Sequence, residues 1–311
     1  MTDQASTPDD RVPAPLRVGI GGSSGLIGTA LRSALEAAGH EPVPLVRGEP
    51  QSGEIGWDVD RQQIDLTALA SLDAVVNLAG AGIQAHRWTD EYRRTILESR
   101  THTTGLLAHA FADLGDDAPR VLVNASAIGF YGDRGDEVLT EQAPAGDGFL
   151  PDVCQAWEQA TEPARDVARV AMIRTGIVLT PDGGALAKML PLFKFALGGR
   201  FGDGRQWMSW ISIDDEVGAI IHALTSDVDG PVNLTAPEPV TNRTFTDELG
   251  SALGRPTLIP VPKFGPRLLL GHDLADSLLF DSARVVPHVL DESGYTFRHR
   301  TLSDALADLL R

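Results

Sequence analysis

The sequence is poor in cysteine, in positive charge and in long apolar runs. One Cys among 311 residues cannot make an intramolecular disulfide, so a disulfide-stapled secreted scaffold is excluded. Lys and Arg total 26 against 43 Asp and Glu, a formal net charge of −17. That balance argues against a general nucleic-acid or anionic-membrane surface, both of which need a basic field, yet it permits a local basic pocket. No apolar run approaches the roughly 18–20 residues of a membrane span. The first residues, MTDQASTPDDRVPAP, lack the basic start and apolar stretch of a secretory signal. Their polar, Pro-rich composition predicts a disordered tail over residues 1–15, and a cytoplasmic location is expected. What is present is a 42% hydrophobic complement, ample for a core in a chain of this length, and 32 glycines.

Short apolar runs alternate with helical patterns. RVGIGG (17–22) reads as a first strand, and Leu26, Ile27, Ala30, Leu31, Ala34, Leu35 and Ala38 then mark one face of a helix ended by Gly39. EPVPLVR (41–47) reads as a second strand, with Pro42 and Pro44 near its start or at positions that need no pairing. A short third strand is expected near 55–57, and DAVVNLAG (73–80) is a buried strand stopped by Gly80. A long helix is expected over about 90–114, a strand in RVLVNASAIGFYG (120–132), a helix near 152–165 and a strand over RVAMIRTGIVL (169–179). This alternation predicts an α/β fold, a Rossmann-type doubly wound parallel sheet with ligand beyond the carboxyl ends of its strands. The binding domain is expected over 16–235, with a glycine-rich lid at about 180–212. A smaller α+β region over 255–311 ends in the helix LSDALADLL.

Between the first strand and its helix lies Gly22-Ser23-Ser24-Gly25-Leu26-Ile27-Gly28. Gly22 allows the tight turn, Gly25 lets a phosphate approach the backbone, and Gly28 lets helix and strand pack closely. The helix start then offers free N–H groups to a pyrophosphate. An acidic residue ending the second strand would hold a ribose 2′-hydroxyl; here that place is Arg47, which favours NADP(H) over NAD.

With these motifs the chain resembles an atypical extended short-chain dehydrogenase/reductase, of the branch called epimerase family proteins, which carries a C-terminal domain of unknown function. The matching stretches include GGSSGLIG, LVR (45–47), NLAGAGI (77–83), SAIGFYG (126–132), RTGIVL (174–179), GDGRQWMSWISIDD (202–215) and VPKFG (261–265). The resemblance implies that Gly22 to Ile27 hold the pyrophosphate and Arg47 the 2′-phosphate. It also implies that Leu78, Ala79 and Gly80 line the adenosine and ribose, that Arg100 reaches the cofactor, and that Val178 lies toward the nicotinamide.

The chain departs from the superfamily where the chemistry is done. The usual Tyr-x-x-x-Lys pair is absent: Cys154 holds the Tyr position and Glu158 the Lys position, while Ser126 remains. Cys154 is compatible with an acid/base, a nucleophile or a small pocket-lining residue. Glu158 is the better proton carrier if burial raises its pKa. Tyr131 is a substitute acid/base or a pocket wall.

Trp207 and Trp210 are expected to wall a substrate pocket or to serve the core. Asp214 and Asp215 are expected to cap a helix, and the eight histidines show no ligand spacing, so no metal is expected. Together these features predict an NADP(H)-dependent oxidoreductase acting on a small carbonyl or alcohol. An NADPH-binding regulatory protein with little turnover and a nucleotide-sugar epimerase or dehydratase are the alternatives. A small-molecule substrate is expected, without nucleic acid or membrane; neither a protein partner nor a homo-oligomer can be read from the sequence.

Overall fold

In the computed structural model the described residues are 15–311, so the tail expected over 1–15 lies almost wholly outside them. The chain runs β1 (Arg17–Gly21), α1 (Leu26–Ala37), β2 (Glu41–Arg47), β3 (Ile55–Asp58), β4 (Gln63–Ile64), α2 (Leu66–Ala70), β5 (Ala74–Asn77), α3 (Asp90–Leu114) and β6 (Val121–Ala127). It continues through β7 (Val138–Leu139), α4 (Phe149–Gln159), β8 (Arg169–Thr175), β9 (Ile177–Thr180), α5 (Gly184–Lys194), β10 (Trp207–Met208), β11 (Trp210–Ser212), α6 (Ile213–Thr225) and β12 (Gly230–Leu234). Last come β13 (Val240–Thr241), α7 (Asn242–Ala252), α8 (Phe264–Leu270), α9 (His272–Leu279), β14 (Arg284–Val285), α10 (His288–Glu292) and α11 (Leu302–Leu309).

Eight strands form one sheet in the order β12-β8-β6-β5-β1-β2-β3-β4, parallel throughout except for β4. Strand order reverses beside β1, where β2 lies on one side and β5 on the other, and this opens a crevice at their carboxyl ends. Buried side chains alternate across the sheet. Ala74 and Val76 join Val18, Ile20 and Leu31 on one face, while Val75 joins Leu69, Leu107 and Phe111 on the other.

The two prolines of β2 fit because hydrogen bonding alternates along a strand. Glu41 donates its N–H to Leu16 on the β1 side, so Pro42 and Pro44 turn toward the side where β3 pairs only from Leu45 onward.

The structure corrects the sequence reading at three places. The single strand expected over 169–179 is two: β8 belongs to the main sheet, whereas β9 pairs with β11. They part at Gly176, where a Cβ would stand 2.7 Å from the Ser209 carbonyl oxygen. The helix expected at 152–165 starts at Phe149 and stops at Gln159. Asp214 and Asp215 do not cap α6; Ser212 does, accepting from the Asp215 N–H at 3.1 Å.

The region after 255 shares the core of what precedes it. Leu290 and Phe297 pack with the β8–β12 face, and Leu302, Ala305 and Leu306 pack with Trp210, Phe193 and Phe245. Asp215 fastens it: its carboxylate accepts from the N–H groups of Arg298 (2.7 Å) and His299 (2.9 Å) and from the Ser212 hydroxyl (2.9 Å).

Candidate functional site

The end of β1 meets the start of α1 through the glycine loop. Gly22 has φ +76°, and a Cβ there would lie 2.8 Å from the Leu78 carbonyl group. The loop after β5 is thus pressed against it, and Leu78 donates its N–H to the Gly21 carbonyl at 2.8 Å. At Gly28 a Cβ would come within 2.3 Å of the Gly22 carbonyl oxygen. No side chain caps α1 at Gly25, and no acidic residue stands in its first turn, so its first N–H groups face outward unopposed.

A cavity of about 520 Å³ opens over this loop. Gly22, Ser23, Ser24, Gly25, Arg47, Leu78, Ala79 and Gly80 all line it. Leu26, Ile27 and Gly28 belong to the adjoining helix and do not. A second cavity of about 730 Å³ shares Arg47 and Trp57 with the first and runs along β3 to Ser99 and His102 of α3. The glycine cradle, the open helix start and the arginine at the end of β2 fit a dinucleotide carrying an extra phosphate.

Arg100 lies beneath the Gly80–Ala81 turn. It donates to the carbonyls of Ala81 and Ile96, both at 3.0 Å, and its guanidinium lies 4.9 Å from the Trp157 ring centroid. Burial lowers its pKa, with the Cys154 thiol opposing. Val178 sits half-buried in β9, paired with Ile211.

The four residues expected to do chemistry lie in one cluster. Ser126, near the end of β6, donates its hydroxyl to Glu158 Oε1 at 2.7 Å. Arg174, on β8, grips the same carboxylate with Nε and Nη2, both at 2.8 Å, and both side chains are nearly dry. The guanidinium also lies over the Phe130 ring at 3.5 Å and donates to the Tyr131 hydroxyl at 3.0 Å. Burial pulls the Arg174 pKa down, and its bonds to Glu158 and Tyr131 more than offset this.

These contacts change the expected roles. Glu158 is engaged at both oxygens, by Ser126 and by Arg174. Tyr131 has no exposed surface; its hydroxyl accepts from Arg174 and donates to Asn233 Oδ1 at 2.7 Å, making it an internal pin rather than a pocket wall. Cys154 is buried, with its thiol 3.7 Å from the Ala127 carbonyl oxygen. Burial and then the Glu158 charge push that thiol up to about 12, so a thiolate nucleophile is not what this environment favours.

Trp210 is wholly buried, its Nε1 donating to the Glu238 carbonyl at 3.1 Å, so it belongs to the core and not to a pocket wall. Trp207 is half-buried and anchored through Nε1 to Asp136 at 2.8 Å, with the Arg284 guanidinium 4.3 Å from its ring centroid. The start of the expected lid reaches the cofactor side: a Cβ at Gly183 would lie 2.7 Å from Leu26, and Lys188 donates to Gln84 Oε1 at 2.7 Å.

Sequence reasoning missed Arg174, Asn233 and Arg32. Arg174 carried a signal, as a charge inside the apolar strand RVAMIRT. Arg32, on α1, lines the smaller cavity, and its buried Nε has no hydrogen-bond partner among the described residues. Asp214, His299 and Asp308 stand close enough to share an ion, but Arg298 already pairs with both carboxylates.

Residues 18–149 match the model of the NAD dependent epimerase/dehydratase family, and residues 261–309 match a domain of unknown function (DUF1731). An epimerase family protein of Mycobacterium bovis is 45% identical over 292 residues, covering 93% of this chain and 96% of the relative. The crystal structure of the human epimerase family protein SDR39U1 with NADPH is 34% identical, with a TM-score of 0.86, covering 94% of this chain and 99% of that one. A nucleoside-diphosphate sugar epimerase from Corynebacterium glutamicum is 39% identical with a TM-score of 0.77; the match covers 96% of this chain and 58% of that longer one.

Proposed function

Because the chain belongs to the epimerase family of atypical extended short-chain dehydrogenases/reductases, we propose that it is an NADP(H)-dependent oxidoreductase acting on a small carbonyl or alcohol compound. The observation that carries this reading is Arg47, at the end of β2, opening into the same cavity as the glycine loop. The human relative solved with NADPH supports the choice of cofactor.

When bound, the nicotinamide would supply or take the hydride. The chain's own part is orientation and charge. Gly22 to Gly25 would hold the pyrophosphate through N–H groups, Leu78 to Gly80 would border the adenosine ribose, and Arg47 would meet the 2′-phosphate. Ser126 would turn its hydroxyl to the substrate oxygen, while Arg174 keeps Glu158 in place behind it.

A second reading, an NADPH-binding regulatory protein with little turnover, draws support from one specific observation. Tyr131, Cys154 and Glu158 are all committed to internal contacts, so the chain shows no ready proton donor among them.

Titration of NADPH and NADH against the wild type and Arg47→Ala tests the cofactor. The variant should lose NADPH affinity by about tenfold or more and keep that for NADH, since a charged hydrogen bond is worth roughly 1.5–3 kcal/mol. Equal wild-type affinity for the two cofactors would refute the assignment. Oxidation of NADPH in the presence of aldehydes, ketones and quinones, scored by absorbance, separates the enzyme from the regulator.

A further inference from the structure

We propose that Arg32 is a second arm of the 2′-phosphate site, and that Arg32 and Arg47 together set the preference for NADP(H) over NAD(H). The proposal rests on the cofactor reading above and adds to it a residue that no motif marks. Arg32 follows Gly25 by seven residues on α1, so Gly25, Gly28 and Arg32 share one helix face. Seven residues of helix rise about 10 Å, which carries Arg32 two turns below the helix start where a pyrophosphate would sit. It lines the same cavity as Pro44, Leu45, Val46 and Arg47, at the end of β2.

The guanidinium is set there without an acceptor. Arg32 Nε is buried and has no hydrogen-bond partner, and neither Arg32 nor Arg47 forms a salt bridge among the described residues. In a chain with 43 Asp and Glu against 26 Lys and Arg, two such arginines lining one cavity run against the overall balance. The one carboxylate lining this cavity, Glu54, has its Oε2 engaged by the Gln51 N–H at 2.8 Å. A dianionic phosphate between the two arginines would complete Nε of Arg32 and use the forked geometry that guanidinium groups offer.

The test is equilibrium binding of NADPH, NADH, 2′,5′-ADP and 5′-AMP by calorimetry to wild type, Arg32→Gln, Arg32→Lys and Arg47→Ala, with thermal melts of each protein alone. Arg32→Gln is expected to weaken NADPH and 2′,5′-ADP by about tenfold or more, while NADH and 5′-AMP stay within about twofold. Arg32→Lys keeps the charge and loses the fork, so its loss for NADPH should be smaller than that of Arg32→Gln. Equal weakening of NADPH and NADH would place Arg32 at the pyrophosphate or in the fold and overturn the proposal. So would unchanged NADPH affinity in Arg32→Gln beside a loss in Arg47→Ala, which would leave the NADP(H) reading standing. A wild type without preference for NADPH would overturn both, and the Arg47→Ala titration then shows that the fault lies in the cofactor reading itself.

Discussion

A carboxylate that accepts three hydrogen bonds in a nearly dry site has a different chemistry from one that carries a proton. Glu158 takes one from Ser126 and two from Arg174. Removing its charge strands the guanidinium, because Arg174 has only 4% of its side chain exposed and its remaining acceptors are the Tyr131 hydroxyl and the Glu141 carbonyl. Glu158→Gln should therefore destabilise the fold by about 3–5 kcal/mol, the cost typical of breaking one half of a buried ion pair. Urea unfolding followed by circular dichroism checks this, and a loss under about 1 kcal/mol would mean that the pair contributes little net stability. Ser126, Cys154 and Glu158 were legible as a group because a known motif marks their places, and Tyr131 through its nearness to Ser126 in SAIGFYG. Their roles were not legible, since what Glu158 and Tyr131 do depends on Arg174, which comes from another strand, and what Cys154 does depends on its burial. Sequence spacing reports neighbours on one element and is silent about a partner that arrives through the sheet.

At the scale of elements, the β1–α1 junction was readable almost to the residue because its constraints are local. Gly28 illustrates this: the 2.3 Å clearance of a Cβ to the Gly22 carbonyl oxygen is a contact between residues six apart. Gly28→Ala must push α1 off the loop, at a cost of about 1–3 kcal/mol. It should weaken NADPH and NADH by the same factor, because the loop would serve the pyrophosphate that both carry; thermal melts and paired titrations measure the two effects. The parting of β8 from β9 was illegible for the opposite reason. Gly176 is needed where the Ser209 carbonyl closes in, and that approach is made by the residue joining β10 to β11, more than thirty residues away. Trp210 misled in the same way. Aromatic content suggests a pocket as readily as a core, and only the packing of Leu302 and Leu306 against that ring decides between them.

At the scale of the whole molecule, the acid surplus sits mostly at the surface, and one exception bears on pH. Glu216 is fully buried, with a single hydrogen bond from the Thr175 hydroxyl at 2.8 Å, and burial pushes its carboxyl up to about 8. A carboxyl whose folded pKa exceeds its unfolded one contributes fully to stability below the unfolded value, and that contribution is lost progressively as pH rises from there through the folded value. Stability should then decline between the ordinary carboxylate range and pH of about 8, by at most about 1.4 kcal/mol per pH unit from this group. Asp281, pushed up to about 6 by burial and by the nearby Asp133 and Asp276, acts in the same direction over a lower window. Glu216→Gln keeps the shape without the ionisation, so its melting temperature should vary less than that of the wild type between pH 6 and 9. A wild type whose melting temperature rises across that interval would contradict the assignment. The net charge of −17 gave no hint of this, because a count does not know which carboxylate lies inside.

The sharing of Leu302, Ala305 and Leu306 with Trp210, Phe193 and Phe245 also has a consequence in time. A ribosome makes the β11–α6 junction well before it makes α11, so the growing chain carries an apolar Trp210 surface without its cover. Every strand of the parallel sheet up to β12 is synthesised before α11, and the neighbourhood of Ser212 and Asp215 waits for Arg298 and His299 to arrive. During that interval the emerging chain is open to association with chaperones or with other unfinished chains.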